Sequence, residues 1–135
     1  MNVFHSLMNK LDRYRLIPDR LTGADYMHRY YLFLRDRANF PYNVTLHHIV
    51  KSDEPILHDH PWPYMTIILR DGYWETTKNG KFWRRPGYVG FRSANNYHRV
   101  DLKEGTKPMT IFIPGPFGLR KGSRSEYGID FKTKK

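Results

Sequence analysis

Turn chemistry recurring between short β-prone runs is the feature that most limits what this chain can become. "YWETTK" and "KFWRR" flank Asn79-Gly80, a dipeptide that closes tight hairpins. "YMTIILR", residues 64–70, runs into Asp71-Gly72, a second strong turn signal. "MHRYYLFLR" (27–35), "YNVTLHHIVK" (42–51), "YVGFR" (88–92), "HRVDL" (98–102) and "MTIFIPG" (109–115) are similarly short and rich in β-branched and aromatic residues. Seven or eight such strands at short intervals predict an all-β sandwich or barrel. The one contrary segment is residues 2–14, where Val3, Phe4, Leu7, Met8 and Leu11 form a helical stripe that Pro18 and Gly23 then end.

The chain has 135 residues, enough to bury one core but not two. We expect a helical extension over 1–23, a β-domain over 24–120 and a basic tail over 121–135. No apolar run approaches the roughly 20 residues of a membrane span, and the charged, amphipathic start is not a secretory signal. There are no cysteines, which excludes disulfides, thiolate metal sites and cysteine nucleophiles. That composition is compatible with the cytoplasm. The formal net charge of +10 attracts polyanions. The basic residues are nevertheless spread along the chain with no nucleic-acid motif, so nucleic acid is a secondary expectation.

"EPILHDHPWPYM", residues 54–65, carries the chemistry. In an extended segment side chains alternate, so His58 and His60 share a face and both can reach one metal ion. Asp59 points away from them, as a loop-fixing group. If the strand continues unbroken through Pro61-Trp62-Pro63, then Tyr64, Thr66 and Ile68 share the histidines' face; a bulge would reverse this. His47 and His48 point to opposite faces. The apolar neighbours Val44, Leu46 and Val50 make His48 the expected inward one, as pocket wall or proton shuttle.

Downstream, "RRPGYVGFRSANNYHRVDL" (84–102) has a Pro-Gly turn, a short strand, a polar loop and a histidine opening the next strand. Placed after the His58-Asp59-His60 segment and Gly72, with Gly80, Pro86 and His98 following, it resembles the two motifs of the cupin superfamily. "LHDHPW", "GYWE", "RRPGYVGFR", "HRV" and "IPGP" resemble small single-domain cupins, many from phages or bacteria. The likeness runs from about residue 26 to 118. It implies a cupin-type β-barrel (double-stranded β-helix, or jelly roll) in which His58, His60 and His98 hold a divalent transition metal. The position where the family usually has an acidic ligand falls on Tyr64 or Met65; Glu75 is an alternative source of a carboxylate.

Three neutral imidazoles suit iron, nickel, copper, zinc or cobalt, and an added carboxylate would extend the choice to manganese. Fe2+ is the first expectation, because three-histidine cupins include dioxygenases. The expected function is a metal-dependent oxidoreductase of dioxygenase type acting on a small anionic substrate. Tyr64 and His48 are the candidate catalytic residues, and Arg70, Arg92 and Arg99 the candidate substrate anchors. A 2-oxoglutarate site is not expected, because the middle metal partner here is histidine. The alternatives are a non-catalytic metal- or ligand-binding module (a sensor or a virion-associated protein) and a metal-dependent isomerase or epimerase. A homodimer through the N-terminal helix and "MHRYYLFL" (27–34) is a further expectation, and a phage-encoded chain would work in its host's cytoplasm.

Overall fold

The computed structural model describes residues 2–19, 22–35, 40–53, 57–58, 60, 63–94 and 96–115. Among the described residues, a single helix, α1 (Val3–Lys10), is followed by nine strands: β1 (Tyr14–Pro18), β2 (Asp25–Tyr31), β3 (Thr45–Ile49), β4 (Tyr64–Arg70), β5 (Tyr73–Thr77), β6 (Gly80–Arg84), β7 (Val89–Arg92), β8 (His98–Asp101) and β9 (Met109–Pro114). They form two antiparallel sheets, one of six strands in the order β1-β2-β3-β9-β4-β7 and one of three in the order β6-β5-β8. The all-β reading holds, and the two-sheet arrangement is that of the expected jelly roll.

Each turn signal has a different job. Thr77 pairs with Gly80, so Lys78 and Asn79 are the two-residue loop of the β5–β6 hairpin. Asp71-Gly72 makes no hairpin. Both residues take positive φ, 73° and 83°, and they carry the chain from β4 in the large sheet to β5 in the small one. Glycine is required at 72, because a Cβ there would stand 2.6 Å from the Arg84 carbonyl oxygen. The sheets meet through Ile68 of β4, which is 1% exposed and packs with Tyr73 of β5 and Val100 of β8.

The N-terminal segment differs from its sequence reading. Helix α1 is capped by Asn2, whose Oδ1 accepts from the His5 amide at 2.8 Å. It ends at Lys10, and residues 14–18 then join the sheet by pairing with β2. Of the apolar stripe only Met8 is buried, against Tyr30 and Leu46, while Val3, Phe4, Leu7 and Leu11 are exposed among the described residues. The helix therefore covers the outer face of β2 and β3, and that settles which way the paired histidines of β3 point.

Candidate metal centre

A short backbone bridge delivers the third histidine. The His58 amide donates to the His98 carbonyl at 2.9 Å and the His98 amide to the His58 carbonyl at 2.8 Å. This is a hydrogen-bonded antiparallel pair, whose side chains leave the backbone on one face. Two residues beyond His58, His60 falls on that face as well. The ring centroids stand 4.9 Å (His58–His98), 5.3 Å (His58–His60) and 5.4 Å (His60–His98) apart. One nitrogen from each ring can be chosen so that all lie within 4.8 Å of one another. His58 and His98 are buried and His60 half-buried.

His60 Nε2 and His98 Nε2 face each other at 3.3 Å. Two imidazole nitrogens about 2.1 Å from one ion and roughly 100° apart would be separated by about 3.2 Å. His98 Nδ1 lies 2.9 Å from Glu75 Oε2. The carboxylate only accepts, so Nδ1 carries the hydrogen and the Nε2 lone pair is left for a metal. His58 Nδ1 lies 4.0 Å from Asp53 Oδ2, within reach of its charge but beyond hydrogen-bond distance. Asp53 is itself held by the Val100 amide at 2.7 Å and by the Tyr26 hydroxyl. The donor set fits a divalent transition metal.

Glu75 is the centre of the surrounding polar network. It is buried, and besides His98 it accepts from Arg84 Nε at 3.0 Å and from Arg92 Nη2 at 2.7 Å. Burial alone would raise its pKa, but the hydrogen bonds from His98 and Arg92 outweigh burial and hold it down at about 2. Burial would likewise lower Arg92, and its bonds to Glu75 and the Tyr88 hydroxyl instead raise it. Glu75 thus stands behind a histidine as an orienting group. The sequence offered Glu75 as an alternative carboxylate for the metal; the structure places it on His98 Nδ1 instead. Adjacent strands in the register Thr77↔His98 and Glu75↔Val100 put the two side chains on one inward face.

The other expected site residues divide. Tyr64 is brought in: its hydroxyl lies 3.3 Å from His98 Nε2, and its ring 4.7 Å from that of His60. Burial, then the Glu75 charge, pushes its pKa well above the usual phenol value. Tyr64, Thr66 and Ile68 are all buried, so the face expected for β4 is the one observed.

His48 is not brought in. The alternation with His47 is real, but its sign is reversed. His47 is buried and stacks 4.8 Å from Phe112, which in turn stacks on Tyr64, while His48 pairs with His28 on the helix side of the sheet. Leu46 is apolar because α1 covers it, so its burial marks the outer face. Arg92 lies on Glu75, whereas Arg70 is exposed and Arg99 pairs with Asp101 at 3.1 Å, outside the network. Asp59 and Trp62 lie outside the described residues.

Two clefts flank the network. One of about 440 Å3 includes Tyr64, Phe91 and Arg92, and one of about 310 Å3 includes Arg84 and Arg92.

With two antiparallel sheets and this histidine set in place, the class is defined: the chain has the cupin fold. It is similar to the polyketide cyclase RemF from Streptomyces resistomycificus, at 13% identity over 82% of this chain and 80% of that one, with a TM-score of 0.63. It is similar to a cupin-2 domain protein from Rhodospirillum rubrum, at 11% identity over 82% and 74%, with a TM-score of 0.62. It also resembles the Fe(II) protein HppE, at 12% identity over 76% of this chain but 57% of that one, with a TM-score of 0.58. At these identities the likeness is one of fold. Family profiles and curated proteins compared with the sequence yield no match.

Proposed function

We propose that His58, His60 and His98 hold one divalent transition-metal ion, and that the protein is a metal-dependent enzyme acting on a small anionic molecule. The observation that carries this reading is the histidine group itself, with His98 Nδ1 tied to a buried carboxylate so that its other nitrogen is free to ligate. Fe2+ is our first assignment, supported by the all-nitrogen donor set and by the likeness to an Fe(II) protein. Held by these three side chains, a ferrous ion would supply Lewis-acid and redox chemistry to a small anionic substrate.

The protein's own residues define the rest. Neutral imidazoles leave the ion's double positive charge intact, which favours anionic groups beside it. The Tyr64 hydroxyl, buried and still protonated at neutral pH, can donate a hydrogen bond to a substrate oxygen beside His98. Tyr64 and Phe112, stacked at 4.9 Å, wall one side of the histidines. The isomerase alternative drew its base from Tyr64 or His48. His48 lies on the other face of the sheet, which leaves that reading only Tyr64.

Cobalt(II) titration of chelator-treated protein tests the assignment. Saturation at one equivalent, with ligand-field absorption in the visible that a His58→Ala, His60→Ala variant lacks, is expected. Identical spectra for variant and wild type would reject the histidine site. Oxygen uptake by the iron-loaded protein with small carboxylic acids then separates the oxygenase reading from simple metal binding.

A further inference from the structure

Beyond Glu75 lies a cleft whose chemistry points to a specific kind of ligand. Register places it at the histidines' end of the fold: Thr77 is opposite His98 in the β5–β8 ladder, and Asn79 sits at the tip of the adjoining hairpin. Thr77, Asn79, Phe82, Arg84, Tyr88 and Asn96 are among the residues that line its volume of about 310 Å3, which suits a small molecule. Its floor carries two guanidiniums, Arg84 and Arg92, against the single carboxylate of Glu75, a net charge of one positive.

The two arginines are not equivalent. Arg92 is fully engaged: Nε and Nη2 donate to Glu75, Nη2 also to the Tyr88 hydroxyl at 2.6 Å, and Nη1 to the Phe91 carbonyl at 3.0 Å. Arg84 uses only Nε, on Glu75 at 3.0 Å. Its guanidinium lies 4.6 Å from the Tyr88 ring centroid and 4.9 Å from that of Phe82, and the side chain is 21% exposed. Neither terminal amino group makes a hydrogen bond among the described residues. A guanidinium fixed at Nε, laid on two rings and left with two parallel donors has already met the ordering cost of binding. Its fork matches a carboxylate.

We infer that Arg84 anchors the carboxylate of a small organic acid in this cleft, on the far side of Glu75 from the metal-facing nitrogen of His98. One net positive charge matches a monocarboxylate better than a dianionic phosphate, and the Phe82 and Tyr88 rings accept an organic body. The binding of the acid is independent of the metal reading above.

The test follows the arginine Nε–Hε resonances of 15N-labelled protein during titration with sodium benzoate, with sodium phosphate as the comparison anion. It is run on chelator-treated and on cobalt-loaded protein. We expect a saturable shift of the Arg84 resonance with benzoate in both forms and a weaker response to phosphate. Benzoate affinity should fall about tenfold or more in Arg84→Gln, and by a smaller factor in Arg84→Lys, which keeps the charge but not the fork. An unmoved Arg84 resonance, or wild-type affinity in Arg84→Lys and Arg84→Gln, would overturn the anchor. A stronger response to phosphate would overturn the carboxylate assignment. If the protein takes up no metal while the benzoate shift persists, the metal reading fails and the acid site stands. Should Arg84→Gln not fold, the wild-type resonance and Arg84→Lys still decide.

Discussion

Glu75→Gln is the substitution on which most of the site's energetics converge. The side chain is 5% exposed, and its two guanidinium partners, Arg84 and Arg92, are 21% and 16% exposed. Glutamine keeps the shape and one carbonyl acceptor but removes the charge, leaving two mostly buried cations facing each other. Breaking a buried ion pair from one side costs about 3–5 kcal/mol. The residual exposure of the arginines places this case at the lower end, about 3 kcal/mol. For a domain of this size that is a fall in Tm of about 10 °C. The network also orients His98, so metal affinity should drop by about 10–100-fold. Urea and thermal unfolding followed by tryptophan fluorescence measure the first effect, and competitive chelator titration the second. Asp101→Asn is the control, because its partner Arg99 is 27% exposed and Asp101 itself 30%, and pairs of that kind contribute less than about 1 kcal/mol. A Glu75→Gln protein within about 0.5 kcal/mol of wild type, with unchanged metal affinity, would refute the reasoning.

Four other substitutions probe the frame. Ile68→Ala removes the 1%-exposed side chain that joins the sheets and should cost about 2–5 kcal/mol in urea unfolding. Gly72→Ala should cost at least about 2 kcal/mol, from its φ of +83° and the clash with the Arg84 carbonyl; Gly105→Ala, at +79° in open space, should cost only about 1 kcal/mol by the same assay. Burial, reinforced by Arg29, holds the His47 pKa well below its usual value, so the folded protein keeps it neutral while the unfolded chain protonates near pH 6.5. Stability is therefore lost as pH falls below that value, by up to about 1.4 kcal/mol per pH unit from this group. The slope of unfolding free energy between pH 5 and 6.5 should be shallower in His47→Gln; equal slopes would refute it.

Period-two patterning and turn residues made the strands legible, because both act over a few residues. β4 begins and ends where "YMTIILR" does, and the Asn79 hairpin forms with its loop at Lys78-Asn79. What local pattern cannot carry is which strands become neighbours. Asp71-Gly72 looks like a hairpin turn but serves as the corner between sheets, since β4 finds its partners in β7 and β9. The same limit reversed His47 and His48: alternation was readable, but the inward side depended on α1 covering Leu46. β1 was hidden in a helical reading, because "YRLIP" is short and pairs only with β2. Within the site, His58, His60 and His98 were reachable through motif spacing. Arg84 was not, and Glu75 was legible only as a carboxylate source for the metal, because their observed roles arise from convergence on a single point by β5, β6 and β8. Pairing Glu75 with the inward alternation of β5 and asking which arginines share that side would have exposed the network.

The central claim is that three histidines hold a metal. Metal content of protein purified without chelators, measured by elemental mass spectrometry for wild type and for the His58→Ala, His60→Ala variant, tests it most directly. Close to one equivalent of a transition metal in wild type, lost in a variant that still shows the all-β circular dichroism spectrum, is the predicted result. Equal trace metal in both, persisting after reconstitution with Fe(II), Ni(II) and Zn(II), would contradict it.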